Sequence, residues 1–160
     1  MSLKHAKGNL IDMAEQGHFD VIVHGCNCFC TMGSGIAKEI RERYPLAYRV
    51  DQQTGSGDRE KLGSYTMAIV DSKDGGQFAI VNAYTQYAYN RKGEKTDRFE
   101  YGAFLDVLIT LVESCGEMRI GLPYIGMGLA GGDKDLIIKI IEIFAERVAD
   151  KGGSVTLVEF

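Results

Sequence analysis

The sequence has no tryptophan, only two prolines, no excess of positive charge and no internal repeat or low-complexity tract. It also has no apolar run approaching the ~20 residues that cross a bilayer. Each absence removes a class of protein. No membrane-spanning helix is expected, and the first residues, Met1 to His5, lack the apolar core of a secretion signal. With 18 Lys+Arg against 22 Asp+Glu, a formal net charge of -4 and a pI near 5.4, nucleic acid is not an expected partner, because that affinity comes from neutralising phosphates with Lys and Arg. Any anion bound here must be held by something other than bulk charge. A chain of 160 residues removes roughly 70% of its unfolded surface from water without a disulfide or metal staple. The four cysteines are therefore free of structural duty, and they are expected to stay reduced in the cytoplasm. Length and a 45% hydrophobic content describe a single domain over residues 1–160.

What is present is one alternating series of strands and helices. Phe19 to Cys26 is β-branched and apolar on both faces, the mark of a central buried strand. Ile36, Ala37, Ile40 and Tyr44 recur at helical spacing until Pro45, which disfavours continuation. Asp51 to Lys61 is polar and Gly-bearing and reads as a surface loop. Strands are expected over Gly63 to Asp71 and Gln77 to Tyr84, parted by the Asp74-Gly75-Gly76 turn signal. After a polar stretch from Gln86, Asp97 and Glu100 resemble a helix start, and an apolar stripe runs from Tyr101 to Cys115. Met118 to Ile125 reads as a strand and Ile137 to Val148 as a long helix ended by Gly152 and Gly153. A final strand is expected over Val155 to Phe160. The alternation predicts an α/β protein, a three-layer α/β/α domain with a mixed, partly parallel central sheet.

In such sheets ligands collect beyond the carboxyl ends of the strands. Two Gly-rich loops fall there. One precedes the Ile36 helix and ends Gly33-Ser34-Gly35; the other runs Gly126-Met127-Gly128-Leu129-Ala130-Gly131-Gly132-Asp133 before the last helix. Glycines let backbone N–H groups approach a phosphate, and each following helix adds the partial positive charge of its N-terminus. Two cradles suit a diphosphate. The same residues also make ordinary strand-to-helix turns, with Ser34 and Asp133 as helix caps. The second loop satisfies a dinucleotide fingerprint, Gly126-x-Gly128-x-x-Gly131 with Glu159 as the ribose acid, although the chain ends after one such unit. No Walker A lysine follows either loop. Tyr84, Tyr87, Tyr89 and Tyr124 are candidates to stack on a base or to make ordinary strand packing, and Arg91, Lys92, Lys95 and Arg98 read as a solvated basic loop, with attraction of a diphosphate or nucleic acid as the alternative. His24, Cys26, Cys28 and Cys30 share one parity but lack a second spaced pair, so no metal is expected. His24 suits proton transfer near neutral pH and equally suits a strand-end histidine bonded inside the fold.

The order Gly8-Asn9-Leu10, Asp20 to Asn27 with His24, Met32 to Ala37, Asn82 and Ile125 to Asp133 resembles a macro domain across nearly the whole chain. It is most similar to the branch holding ADP-ribose-1''-phosphate phosphatases and related hydrolases. The resemblance implies ADP-ribose, or a phosphorylated or conjugated derivative, as ligand, with no cofactor. Asn9 and Leu10 would stand at the adenine, Asn9 replacing the usual Asp. Asn27 would contact the distal ribose. Gly33, Ser34, Gly35 and Ile36 would form the first pyrophosphate loop, and Gly126, Met127, Gly128, Leu129 and Ala130 the second. His24 would be the catalytic proton donor or nucleophile, and Asp133 the acid that orients it or a water. A lysine nucleophile of the deacylating branch is replaced here by Gln86. The alternatives left open are a non-catalytic ADP-ribose reader and a hydrolase that removes ADP-ribose from a macromolecule.

Overall fold

The computed structural model describes residues 2–128 and 130–160. Its strands are β1 (Leu3–Lys7), β2 (Val21–Cys26), β3 (Tyr65–Asp71), β4 (Gln77–Tyr84), β5 (Arg119–Leu122) and β6 (Ser154–Glu159). Its helices are α1 (Leu10–Glu15), α2 (Gly35–Arg43), α3 (Pro45–Gln52), α4 (Tyr101–Cys115) and α5 (Lys134–Asp150). The sheet order is β1-β6-β5-β2-β4-β3, parallel except for β3, which pairs antiparallel with β4. The expected three-layer arrangement is what forms. Strands β2, β4 and β5 lie inside the sheet and are apolar on both faces because helices cover both.

Each face has its own core. Ile22, Phe78 and Ile80 pack with Leu10 and Ile11 of α1, Ile40 of α2 and Ala47 of α3. On the other side Val21, Val23 and Ile120 meet Phe104, Val107 and Leu111 of α4 and Ile137, Ile141 and Phe144 of α5. The stripe read from α4 therefore faces the sheet. No helix among the described residues is long and apolar enough to cross a membrane.

Four stretches depart from the sequence reading. β1 is an edge strand with only Leu3 buried, and α1 has six residues, so neither carries a full period. Pro45 begins α3 at its N-terminus, where a missing N–H costs nothing. The stretch from Asp51 to Lys61 is not simply a surface loop. Asp51 lies in the last turn of α3, a 3₁₀ turn spans Arg59–Lys61, and Asp51 and Lys61 are both buried.

Register builds a polar ladder inside the apolar sheet. His24 of β2 lies beside Asn82 of β4, and Asn82 lies beside Thr66 of β3. Asn82 Nδ2 donates to Ala47 O of α3 at 3.0 Å and to Thr66 Oγ1 at 3.1 Å. Both amide hydrogens are thereby committed, and Oδ1 is left facing His24 Nε2 at 2.6 Å. The ring nitrogen must be the donor, so His24 carries its proton on Nε2.

Candidate functional site

The first Gly loop leaves the carboxyl end of β2 and is held by its own side chains. Asn27 Oδ1 accepts from the Phe29 N–H at 2.8 Å, and its Nδ2 donates to Thr31 Oγ1 at 2.7 Å. Cys30 and Met32 take φ of 57° and 39°, a region side chains rarely occupy. Contacts from α2, α3 and the 3₁₀ turn fix that conformation: the Cys30 thiol donates to Asp51 O at 3.2 Å, Lys61 Nζ donates to Cys30 Sγ at 3.4 Å, and Arg41 donates to Thr31 O at 3.1 Å. The loop delivers Ser34 to the N-terminus of α2, where its hydroxyl makes no capping bond and the first turn holds no acidic residue. First-turn N–H groups without side-chain partners, together with the helix dipole, leave this terminus electropositive.

The second loop is built differently. Gly126 has φ 75°, and a Cβ on it would enter the ring of Phe99; Gly131 has φ 77°, and a Cβ there would strike the Asp97 carboxylate. Ala130 O accepts from the N–H groups of Arg98 and Phe99 at 2.8 and 3.1 Å. These contacts stitch the loop to the segment before α4. Asp133 then caps α5, its Oδ1 accepting from the N–H groups of Asp135 and Leu136 at 3.0 and 3.3 Å. The two cradles are therefore unequal, because the terminus of α5 is already closed by a carboxylate. Gly126→Ala is expected to lower stability by about 3 kcal/mol, combining a left-handed φ with a clash. A chemical denaturation midpoint equal to that of the unsubstituted protein would show that Phe99 moves aside freely.

A cleft of about 460 Å³ opens beside the first loop, within the ~300–1,000 Å³ of small-molecule sites. Gly25 and Cys26 line it from β2, and Asn27, Thr31, Met32, Gly33, Ser34 and Ala37 from the first loop and α2. Asp51, Gln86, Ala130 and residues 89–94 complete the wall. Of the residues anticipated for the ligand, Asn27, Gly33, Ser34 and Ala130 meet here. Gly35 and Ile36 follow in the first turn of α2, while Gly126, Met127 and Gly128 do not line the cleft. Leu129 lies outside the described residues.

Several expectations are corrected by this arrangement. His24 does not face the cleft: it is fully buried on the α1–α3 side of the sheet, its Nε2 committed to Asn82 and Cys26 Sγ 3.7 to 3.8 Å from the ring. Desolvation brings its pKa down to about 4, with the Asn82 bond pulling the other way, so the ring is neutral at physiological pH. Asp133, the other residue of the anticipated catalytic pair, is engaged as a cap and is absent from the cleft lining. Asn9 Oδ1 caps α1 by accepting from the Asp12 N–H at 3.0 Å, its Nδ2 donates to Glu39 at 3.2 Å, and Leu10 is core. Among the four tyrosines Tyr89 borders the cleft, whereas Tyr84 is buried, Tyr87 donates to Gly57 O and Tyr124 to Glu159. Arg91 and Lys92, read as solvated, edge the cleft mouth while remaining exposed. The strand order β1-β6-β5-β2-β4-β3 differs from the 3-2-1-4-5-6 order of the dinucleotide-binding sheet and argues against that alternative. The sequence reading missed Asp51, whose burial depends on α3 and so left no trace in local pattern.

Solved structures identify the class. The macrodomain of Mycobacterium tuberculosis DarG matches 96% of this chain and 96% of its own with a TM-score of 0.71 at 19% identity. A structure of Thermosipho africanus DarTG in complex with ADP-ribose matches 98% of this chain and 42% of its own, with a TM-score of 0.75 at 16% identity. The chain has the macrodomain fold, as its sequence led us to expect. Within that class it belongs to the family of the 17.5 kDa protein of the tk-vs intergenic region of Enterobacteria phage T4, with 32% identity over 154 residues, 92% of this chain and 93% of that one. A shorter match, 37% identical over 49 residues, joins 31% of this chain to 23% of an ADP-ribose 1''-phosphate phosphatase of Aspergillus oryzae. No family model matches the chain.

Proposed function

We propose that this protein binds ADP-ribose in the cleft between the first Gly loop and residues 89–94. The observation that carries the reading is the uncapped N-terminus of α2, with no acid in its first turn and with Ser34 and Ala37 on the cleft wall. The diphosphate lies against Gly33, Ser34, Gly35 and Ile36, with Arg91 and Lys92 at the mouth. The terminal ribose lies toward Asn27. The ADP-ribose held by the Thermosipho africanus relative supports this ligand.

Calorimetric titration tests the reading. ADP-ribose is expected to bind and NAD to bind more weakly. Ala37→Asp, which sets a carboxylate in the first turn of α2, is expected to weaken ADP-ribose about tenfold or more through the helix terminus and direct repulsion. Equal affinity for substituted and unsubstituted protein would remove α2 from the site.

The name of the Aspergillus oryzae relative favours a second reading, release of the terminal phosphate from ADP-ribose-1''-phosphate. In that reaction His24 would transfer the proton or attack, and Asp133 would orient it or a water. Both residues would have to leave their present partners first. Phosphate release by the purified protein decides for turnover, and its survival in His24→Gln would move the chemistry to other groups.

A further inference from the structure

The buried members of the cleft lining are Cys26, Met32 and Asp51, and they form its floor. Asp51 is 1% exposed. Its Oδ1 accepts from Tyr84 OH at 2.6 Å, while its Oδ2 is buried with no hydrogen-bond partner among the described residues. Lys61 is the cation near enough to act on this carboxyl, but its Nζ donates to Thr54 Oγ1 at 2.6 Å and to Cys30 Sγ at 3.4 Å. A buried acceptor left unpaired costs about 1–3 kcal/mol and asks for a reason. The other carboxylate at the cleft, Glu94, is engaged by the Arg91 N–H and by Arg98. The cleft thus has donors at its mouth, from α2 and the basic residues, and a buried, unpaired carboxyl oxygen on a residue of its lining.

We propose that Asp51 is a specificity-determining residue, whose Oδ2 accepts a hydrogen bond from a hydroxyl of the ligand's terminal sugar. This rests on the ADP-ribose reading and assigns the ligand its direction, anionic centre at the mouth and hydroxyl-bearing end on the floor. The ordering follows from chemistry: the phosphates offer only acceptors and match α2, whereas a sugar hydroxyl supplies the donor that Asp51 lacks. Tyr84 holds the carboxyl by its other oxygen, so the acceptor is fixed before the ligand arrives.

Titration of ADP-ribose and of ADP, which lacks the terminal sugar, into wild type and Asp51→Asn tests this. Wild type is expected to bind ADP-ribose at least about tenfold more tightly than ADP, and Asp51→Asn to lose about tenfold toward ADP-ribose while keeping its affinity for ADP. A substitution that leaves both affinities alone, or weakens both alike, overturns the proposal. Should Asp51→Asn fail to fold by thermal melting, the wild-type comparison still decides, since equal affinity for the two ligands means that no terminal sugar is read. Wild type that binds neither ligand rejects ADP-ribose itself and the proposal with it.

Discussion

Asn82→Ala is expected to lower the stability of the protein by about 4 kcal/mol, read as a fall of about 2 M in the urea midpoint at an m-value near 2 kcal/mol/M. Asn82 joins β2, β3 and α3 through one amide group, with bonds to His24, Thr66 and Ala47. Removing it strands the Nε2–H of a fully buried ring and leaves a hole in the middle of the sheet. Neither loss is open to repair by solvent, because Ile22, Ile80 and Ala47 around it are buried as well. An alanine variant within about 1 kcal/mol of wild type would show that the ladder is not what holds the ring.

The protein is expected to lose about 2 kcal/mol of stability between pH 7 and pH 5 through His24 alone. An unfolded histidine takes up its proton near ~6.5, while the buried ring resists until about 4. As pH falls below the unfolded value, the unfolded state binds more protons and gains on the native one. The loss grows until the native ring itself protonates, reaching roughly 3 kcal/mol in all. Denaturation at pH 7 and pH 5 checks this, with His24→Gln expected to show a difference smaller by about 2 kcal/mol. An NMR signal from the His24 ring that titrated near pH 6.5 would contradict the buried, neutral assignment. The sign bears on function too, since a ring that is neutral at pH 7 has its one N–H engaged by Asn82.

Where a period was long enough, local pattern carried the fold. Residues 101–115 keep one apolar stripe through α4, and Ile137, Ile141, Phe144 and Val148 do the same through α5. Gln77–Tyr84 forms β4 as its composition suggests. What escaped was short or lay at an edge, as with β1 and α1, or followed a stop signal directly, as with α3, which begins at the same Pro45 before which α2 ends. The site followed the same division. Gly33, Ser34 and Asn27 were legible because a strand, a Gly-rich turn and a helix start are local features. Gln86 and Tyr89 were singled out as well, and Arg91 and Lys92 as a basic cluster, whereas Asp51 was not, because it reaches the cleft from α3, distant in the chain.

Local pattern along the chain specified the layered architecture and the two Gly loops, since periodicity and turn chemistry act over a few neighbouring residues. Which side chains line the cleft was set by packing across the sheet. Register across β2, β4 and β3 gave the His24 imidazole a buried partner away from the cleft, while α3 set Asp51 in the cleft lining with one carboxylate oxygen unpaired among the described residues.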